Sequence, residues 1–122
     1  QSWKMNKITN PEVHEKGWGK ELWIANNAKY CGKILVVNKG KKCSIHYHKI
    51  KDETFYILKG EVQMDIFPEG YPNRKRLVMK PGDTLHITQG LAHQFFGLGD
   101  SEILEVSTQH FEDDSYRIEP GD

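Results

Sequence analysis

At 122 residues, the chain is of a size whose single core buries roughly two-thirds of the surface the unfolded chain would expose, so it needs neither disulfides nor metal merely to fold. Seventeen Lys and Arg balance 17 Asp and Glu, and a net charge of zero argues against attachment to nucleic acid through the overall field. Hydrophobic residues are 37% and aromatics 11%, recurring along the chain, which excludes a disordered composition, and no apolar run approaches the roughly 18 residues of a membrane span.

One domain over residues 1–122 is therefore expected, with no nucleic-acid or membrane partner and a cytoplasmic location. No leader pattern stands in the sequence and no Asn-x-Ser/Thr acceptor occurs. The first residue is Gln1 rather than Met, so the sequence is read as open at that end. Cys31 and Cys43 are too few for a disulfide framework and are expected as buried free thiols.

Taken in chain order, the signal is nearly all strand; only the first dozen residues leave room for a helix. Glu21–Ala25 and Lys33–Asn38 are short, β-rich and bounded by Asn and Gly. Ser44–His48 follows Lys39-Gly40-Lys41-Lys42. Thr54–Leu58 and Glu61–Phe67 flank Lys59-Gly60, which reads as a tight hairpin connection. Leu77–Met79 and Thr84–Ile87 are separated by the turn Pro81-Gly82-Asp83, and His93–Phe96 and Glu102–Val106 complete the set. About eight or nine short strands in one domain mean a sandwich or barrel.

Alternation places Ser44, His46 and His48 on one strand face, so two imidazoles project to the same side. Glu53 lies just past a short turn and His93 starts another strand, so they offer a third and fourth ligand to one ion. Three imidazoles and a carboxylate suit one divalent transition metal such as Zn, Mn, Fe or Ni and leave positions open for water or substrate. Phe55 and Ile57 share the face of Glu53, and Val62, Met64 and Ile66 form the apolar face of the next strand.

The glycines around these residues carry a resemblance. Gly40, five residues, His46-x-His48, four residues, Glu53, six residues and Gly60 reproduce the first signature of the cupin superfamily. Gly82, five residues, Thr88, one residue, Gly90, two residues and His93 resemble the second, with Thr88 where Pro is usual and Gly97 where Asn is usual. The resemblance covers 40–60 and 82–97. It implies an all-β fold, an antiparallel double-stranded β-helix or jelly-roll barrel, with His46, His48, Glu53 and His93 as metal ligands near one mouth. Gly60 and Gly82 are expected at turns with positive φ.

Gly17-Trp18-Gly19-Lys20-Glu21, Glu102–Ser107 and the tail Phe111–Arg117 are similar to the cupin domain of type II phosphomannose isomerases. Four residues separate His48 from Glu53, where those isomerases would have three. That similarity implies a sugar or sugar phosphate as small-molecule substrate and aldose–ketose isomerisation. A divalent ion can hold a carbonyl and its neighbouring hydroxyl while a base moves a proton between adjacent carbons. The sequence names no catalytic base; His86 and Gln63 qualify only if they face the lumen.

Lys39, Lys41, Lys42, Lys49 and Lys51 flank the histidine strand and offer to line the mouth for an anionic group. Arg74-Lys75-Arg76 reads as a solvated turn and Glu112-Asp113-Asp114 as a solvated tail that folds across the barrel. Two rival functions remain: a mononuclear-iron dioxygenase, and a non-catalytic module that binds a sugar or small acid. A homodimer is expected, paired through an outer sheet face with Trp18, Trp23 and Tyr56 as apolar area; the alternative is that the tryptophans close the barrel end.

Overall fold

The computed structural model describes residues 6–122. Eleven strands follow one another: β1 (Glu12–Lys16), β2 (Gly19–Asn26), β3 (Cys31–Val37), β4 (Ile45–Tyr47), β5 (Glu53–Lys59), β6 (Val62–Ile66), β7 (Lys75–Met79), β8 (Thr84–Ile87), β9 (His93–Gly97), β10 (Ser101–Ser107) and, after a 3₁₀ turn at Glu112–Asp114, β11 (Tyr116–Glu119). The first five of the dozen residues left open for a helix lie outside the described residues, and Asn6–Pro11 forms none. No helix among the described residues is long and apolar enough to cross a membrane.

The strands form two antiparallel sheets, ordered β1-β2-β3-β10-β5-β8 and β11-β4-β9-β6-β7. This is the all-β jelly roll expected from the sequence, with β1 and β11 added to the strands read there. The expected hairpin at Lys59-Gly60 is not one: β5 pairs with β10 and β8, while β6 pairs with β7 and β9. Gly60 is instead the corner at which the chain leaves one sheet for the other. Its φ is +84°, and a Cβ there would lie 2.3 Å from Ser101 Oγ and 2.4 Å from the Asp100 carbonyl oxygen. Gly82, φ +95°, turns the chain back.

Strand registers settle what each face carries. On the outer face of the six-stranded sheet Val13, Leu22, Ile34, Leu104 and Tyr56 are successive cross-strand partners, an apolar row left partly open to solvent. On the inner face one row runs Trp23, Lys33, Glu105, Phe55 and Leu85. Trp18 also points inward, edge-on to Phe95 with ring centroids 5.0 Å apart, so of the three aromatics expected outside only Tyr56 is there.

The interior divides in two. Val37, Ile57, Val62, Met64 and Ile103 have no measurable exposure and plug one end of the barrel. Fully burying each such side chain contributes about 1.5–3 kcal/mol. Above them the lining turns polar. Arg74-Lys75-Arg76 is solvent-exposed, as expected, but is not a turn: β7 begins at Lys75, and Arg74 and Arg76 hold the buried Asp65 carboxylate at 2.8 and 3.0 Å. Cys31 and Cys43 are buried and free, as expected.

Gly60→Ala should cost about 1–3 kcal/mol of stability, because the corner needs both the positive φ and the missing Cβ. Urea unfolding midpoints of the two proteins would test this, and an unchanged midpoint would contradict the corner role.

Candidate metal centre

The polar half of the interior is a cavity of about 670 Å³ floored by Leu35, Cys43, Phe55 and Phe95. Ser44, His46 and His48 all line it, as strand alternation requires, although the strand itself ends at Tyr47. His93 arrives through register, because β9 lies beside β4 with His93 directly opposite His46. Glu53 comes from the facing sheet at the start of β5.

Each of the three imidazoles is fixed by the same device. His46 Nδ1 donates to the Ser44 carbonyl at 2.9 Å, His48 Nδ1 to the Asp114 carbonyl at 2.9 Å, and His93 Nδ1 to the Leu91 carbonyl at 3.0 Å. A carbonyl only accepts, so each Nδ1 carries the proton and each Nε2 keeps a lone pair. One ring nitrogen from each of the three histidines lies within 4.8 Å of the others, a spacing one metal ion could span. Glu53 Oε2 stands beside two of them, 3.5 Å from His48 Nε2 and 3.4 Å from His93 Nε2.

That Oε2 is buried and has no hydrogen-bond donor among the described residues. Lone pairs and a carboxylate oxygen thus converge with nothing positive between them, which is costly unless a cation joins them. The donor set fits a divalent transition ion. Burial, with smaller contributions from neighbouring positive charge, holds His46 down to about 3 and His48 and His93 to about 4, so the rings are neutral donors at physiological pH. Burial and the charge of Glu105 push the Glu53 carboxyl well above the usual carboxylate range.

The C-terminal segment braces this centre. The expected solvated tail does fold back, pairing β11 with β4, but Asp114 is buried rather than solvated. Its carbonyl orients His48. Its carboxylate accepts the backbone N–H groups of Lys49 at 2.9 Å, Ile50 at 3.0 Å and Lys51 at 2.9 Å, which fixes the loop between β4 and β5. Burial opposes its ionisation, but these three amides outweigh it and lower its pKa.

Of the five flanking lysines only Lys51 lines the lumen, where Nζ meets Glu105 Oε2 at 3.0 Å. Burial works against its charge, yet Glu105 and Glu53 raise its pKa. Burial likewise opposes ionisation of Glu105, but Lys51 and Lys33 bring it down to about 2. His86 is exposed and pairs with Asp52, and neither it nor Gln63 lines the cavity. Among the lining residues not read from the sequence are Lys33, Glu105 and His110. Lys33 had a signal, since alternation puts it on the inward side with Leu35 and Val37.

Comparison with known proteins agrees with this fold. Residues 33–107, more than half of the chain, match the Cupin domain family. The chain belongs to the cupin superfamily. It is 31% identical over 97 residues to quercetin 2,3-dioxygenase of Bacillus subtilis, an alignment covering 70% of this chain and 27% of that protein. Among solved structures it resembles KdgF from Halomonas sp. (TM-score 0.69, 16% identity, 84% of this chain and 91% of that one). Oxalate decarboxylase from Bacillus subtilis is similar too (TM-score 0.76, 15% identity, 88% of this chain and 30% of that one). The chain therefore spans about a quarter of the dioxygenase and under a third of the decarboxylase.

Two outcomes follow. Asp114→Asn should weaken zinc affinity about 10–100-fold in a chelator competition titration, while the exposed neighbour Asp113→Asn should not. In the metal-free protein, protons bind the unfolded histidines near 6.5 but are refused by the fold until about 4 or below, as burial also holds His110 to about 4. Protonation therefore favours unfolding across that interval. Glu53 acts in the opposite sense, as one group against four. Thermal midpoints should fall as pH drops from 6.5 to 4, and a flat profile would contradict the neutral assignment.

Proposed function

We propose that this cupin binds one divalent transition metal through His46, His48, Glu53 and His93 and catalyses aldose–ketose isomerisation of a sugar or sugar phosphate. The observation that carries the reading is the cluster of three fixed imidazoles, one ring nitrogen of each within 4.8 Å of the others, with the buried Glu53 Oε2 beside two of them. A bound Zn, Mn, Fe or Ni ion would supply a Lewis acid for the carbonyl and neighbouring hydroxyl oxygens of the substrate. The character of the lumen supports a hydrophilic substrate: Glu21, Lys33, Lys51, Glu105 and His110 all line it. Isomerisation also needs a group that moves a proton, and these side chains, unlike His86 and Gln63, are within the cavity.

A second reading, an iron-dependent dioxygenase, is favoured by the 31% identity to quercetin 2,3-dioxygenase. Metal analysis of the wild type and of a His48→Ala, Glu53→Ala double variant separates the readings. About one equivalent of Zn, Mn or Ni, lost in the variant, with oxygen-independent interconversion of a sugar phosphate, is the expected outcome. Iron with substrate-dependent oxygen uptake would replace the isomerase by the dioxygenase. Sugar binding without turnover would leave a binding module, and no metal after reconstitution would sink both enzymatic readings.

We also infer that two copies pair through the outer face of the six-stranded sheet. The contiguous row of Val13, Leu22, Ile34, Leu104 and Tyr56 supports this, since exposed apolar patches mark interaction sites. Leu104→Lys should then shift the mass measured by light scattering from dimer to monomer, and a monomeric wild type would refute the pairing.

A further inference from the structure

The lumen holds a second group of polar side chains that the metal reading does not use, reaching the histidine cluster where the His110 ring stands edge-on to that of His48, centroids 6.4 Å apart. The centre of this second group is Trp23 on β2. The Lys33 ammonium lies 4.2 Å from the centre of the indole ring, and the His110 ring meets the indole edge-on with centroids 5.2 Å apart. Backbone bonds hold His110 in place: its N–H donates to Asn26 Oδ1 at 2.8 Å, and its carbonyl accepts from Asn26 Nδ2 at 3.1 Å.

Both polar groups are short of partners. Lys33 is only 2% exposed, and among the described residues its ammonium has one acceptor, Glu21 Oε1 at 3.3 Å. That oxygen also takes the Trp23 indole N–H at 2.8 Å. Glu105, directly across from Lys33 in register, gives Oε2 to Lys51 at 3.0 Å and Ser107 at 2.9 Å. An ammonium has three donors, so one long bond leaves it poorly satisfied for so buried a charge. The His110 side chain is 10% exposed, and its buried Nδ1 has no partner among the described residues. The other ring nitrogen is 3.7 Å from Glu112 Oε1, beyond hydrogen-bond distance.

We propose that Lys33 and His110, both packed on Trp23, form an oxyanion subsite that takes the carboxylate or phosphate group of the ligand. The ammonium supplies charge and the imidazole an N–H donor, while the indole sets their spacing. An oxyanion has lone pairs that can accept from both groups. This deepens the reading of the lumen as the site of a sugar phosphate or a related acid, and rests on that reading for its ligand class only.

The test titrates the full-length protein, metal-free and zinc-loaded, with inorganic phosphate and separately with malonate at constant ionic strength. The readout is the Trp23 indole N–H resonance, assigned by its loss in Trp23→Phe. A saturable shift with at least one anion is expected, weakened about tenfold or more in Lys33→Met, retained in Lys33→Arg, and unchanged in Lys59→Met on the exposed surface. Preference for phosphate would indicate a phosphate ester as ligand, and preference for malonate a carboxylic acid. If Lys33→Met does not fold, weakening in His110→Gln decides. An indole resonance that ignores both anions, or shifts equally in folded Lys33→Met, overturns the subsite. Zinc uptake measured on the same samples keeps the two ideas apart. Anion binding without zinc uptake would sink the metal-dependent function and leave the subsite standing, and zinc uptake without anion binding would do the reverse.

Discussion

Much of this molecule is arranged around three hydrogen bonds from imidazole Nδ1 atoms to backbone carbonyls. They settle the tautomer of His46, His48 and His93, and so leave three lone pairs clustered in the lumen, two of them beside the buried Glu53 Oε2. Two of the carbonyls are local, two residues before the histidine they hold. The third, that of Asp114, is 66 residues away, so the C-terminal turn must dock before the His48 ring is fixed. The same residue caps three amides of the loop leading to Glu53. One buried aspartate thereby couples the closing of the barrel to the shape of its polar centre.

The barrel also has to bury charge. Two buried lysines, Lys33 and Lys51, and two buried carboxylates, Glu53 and Glu105, are among the residues lining a cavity that lies directly on an apolar plug. Cross-strand register makes this tolerable, because Lys33 is placed opposite Glu105 and beside Glu21, and Lys51 reaches Glu105 from the loop. Replacing such pairs with apolar residues often leaves a fold as stable or more so. Their presence here is better explained by what the cavity holds than by what it contributes to stability.

Comparison of particular residues shows where sequence reading reaches and where it stops. His46 and His48 were legible because strand period puts alternate residues on one face, and Glu53 and His93 because their spacing to glycines matches a known signature. Lys33 was legible in principle, standing on the inward side of β3. Glu105, His110 and Asp114 were not, since what distinguishes each is a partner brought close by another strand. The supposed hairpin at Gly60 failed for a related reason. A glycine with positive φ serves a tight hairpin and a corner between sheets equally, and only the neighbours of β5 and β6 tell them apart.

By itself, then, the sequence determined the all-β class, the cupin signatures and the four residues proposed as ligands, because alternation and turn chemistry are local. Tertiary structure alone decided which charges share the lumen, which nitrogen of each ring carries the proton, and how the tail braces the centre. Those depend on register between strands distant in the chain, as when Lys33 and Glu105 meet across β3 and β10. No local pattern encodes such a meeting, since it is set by how the whole barrel closes.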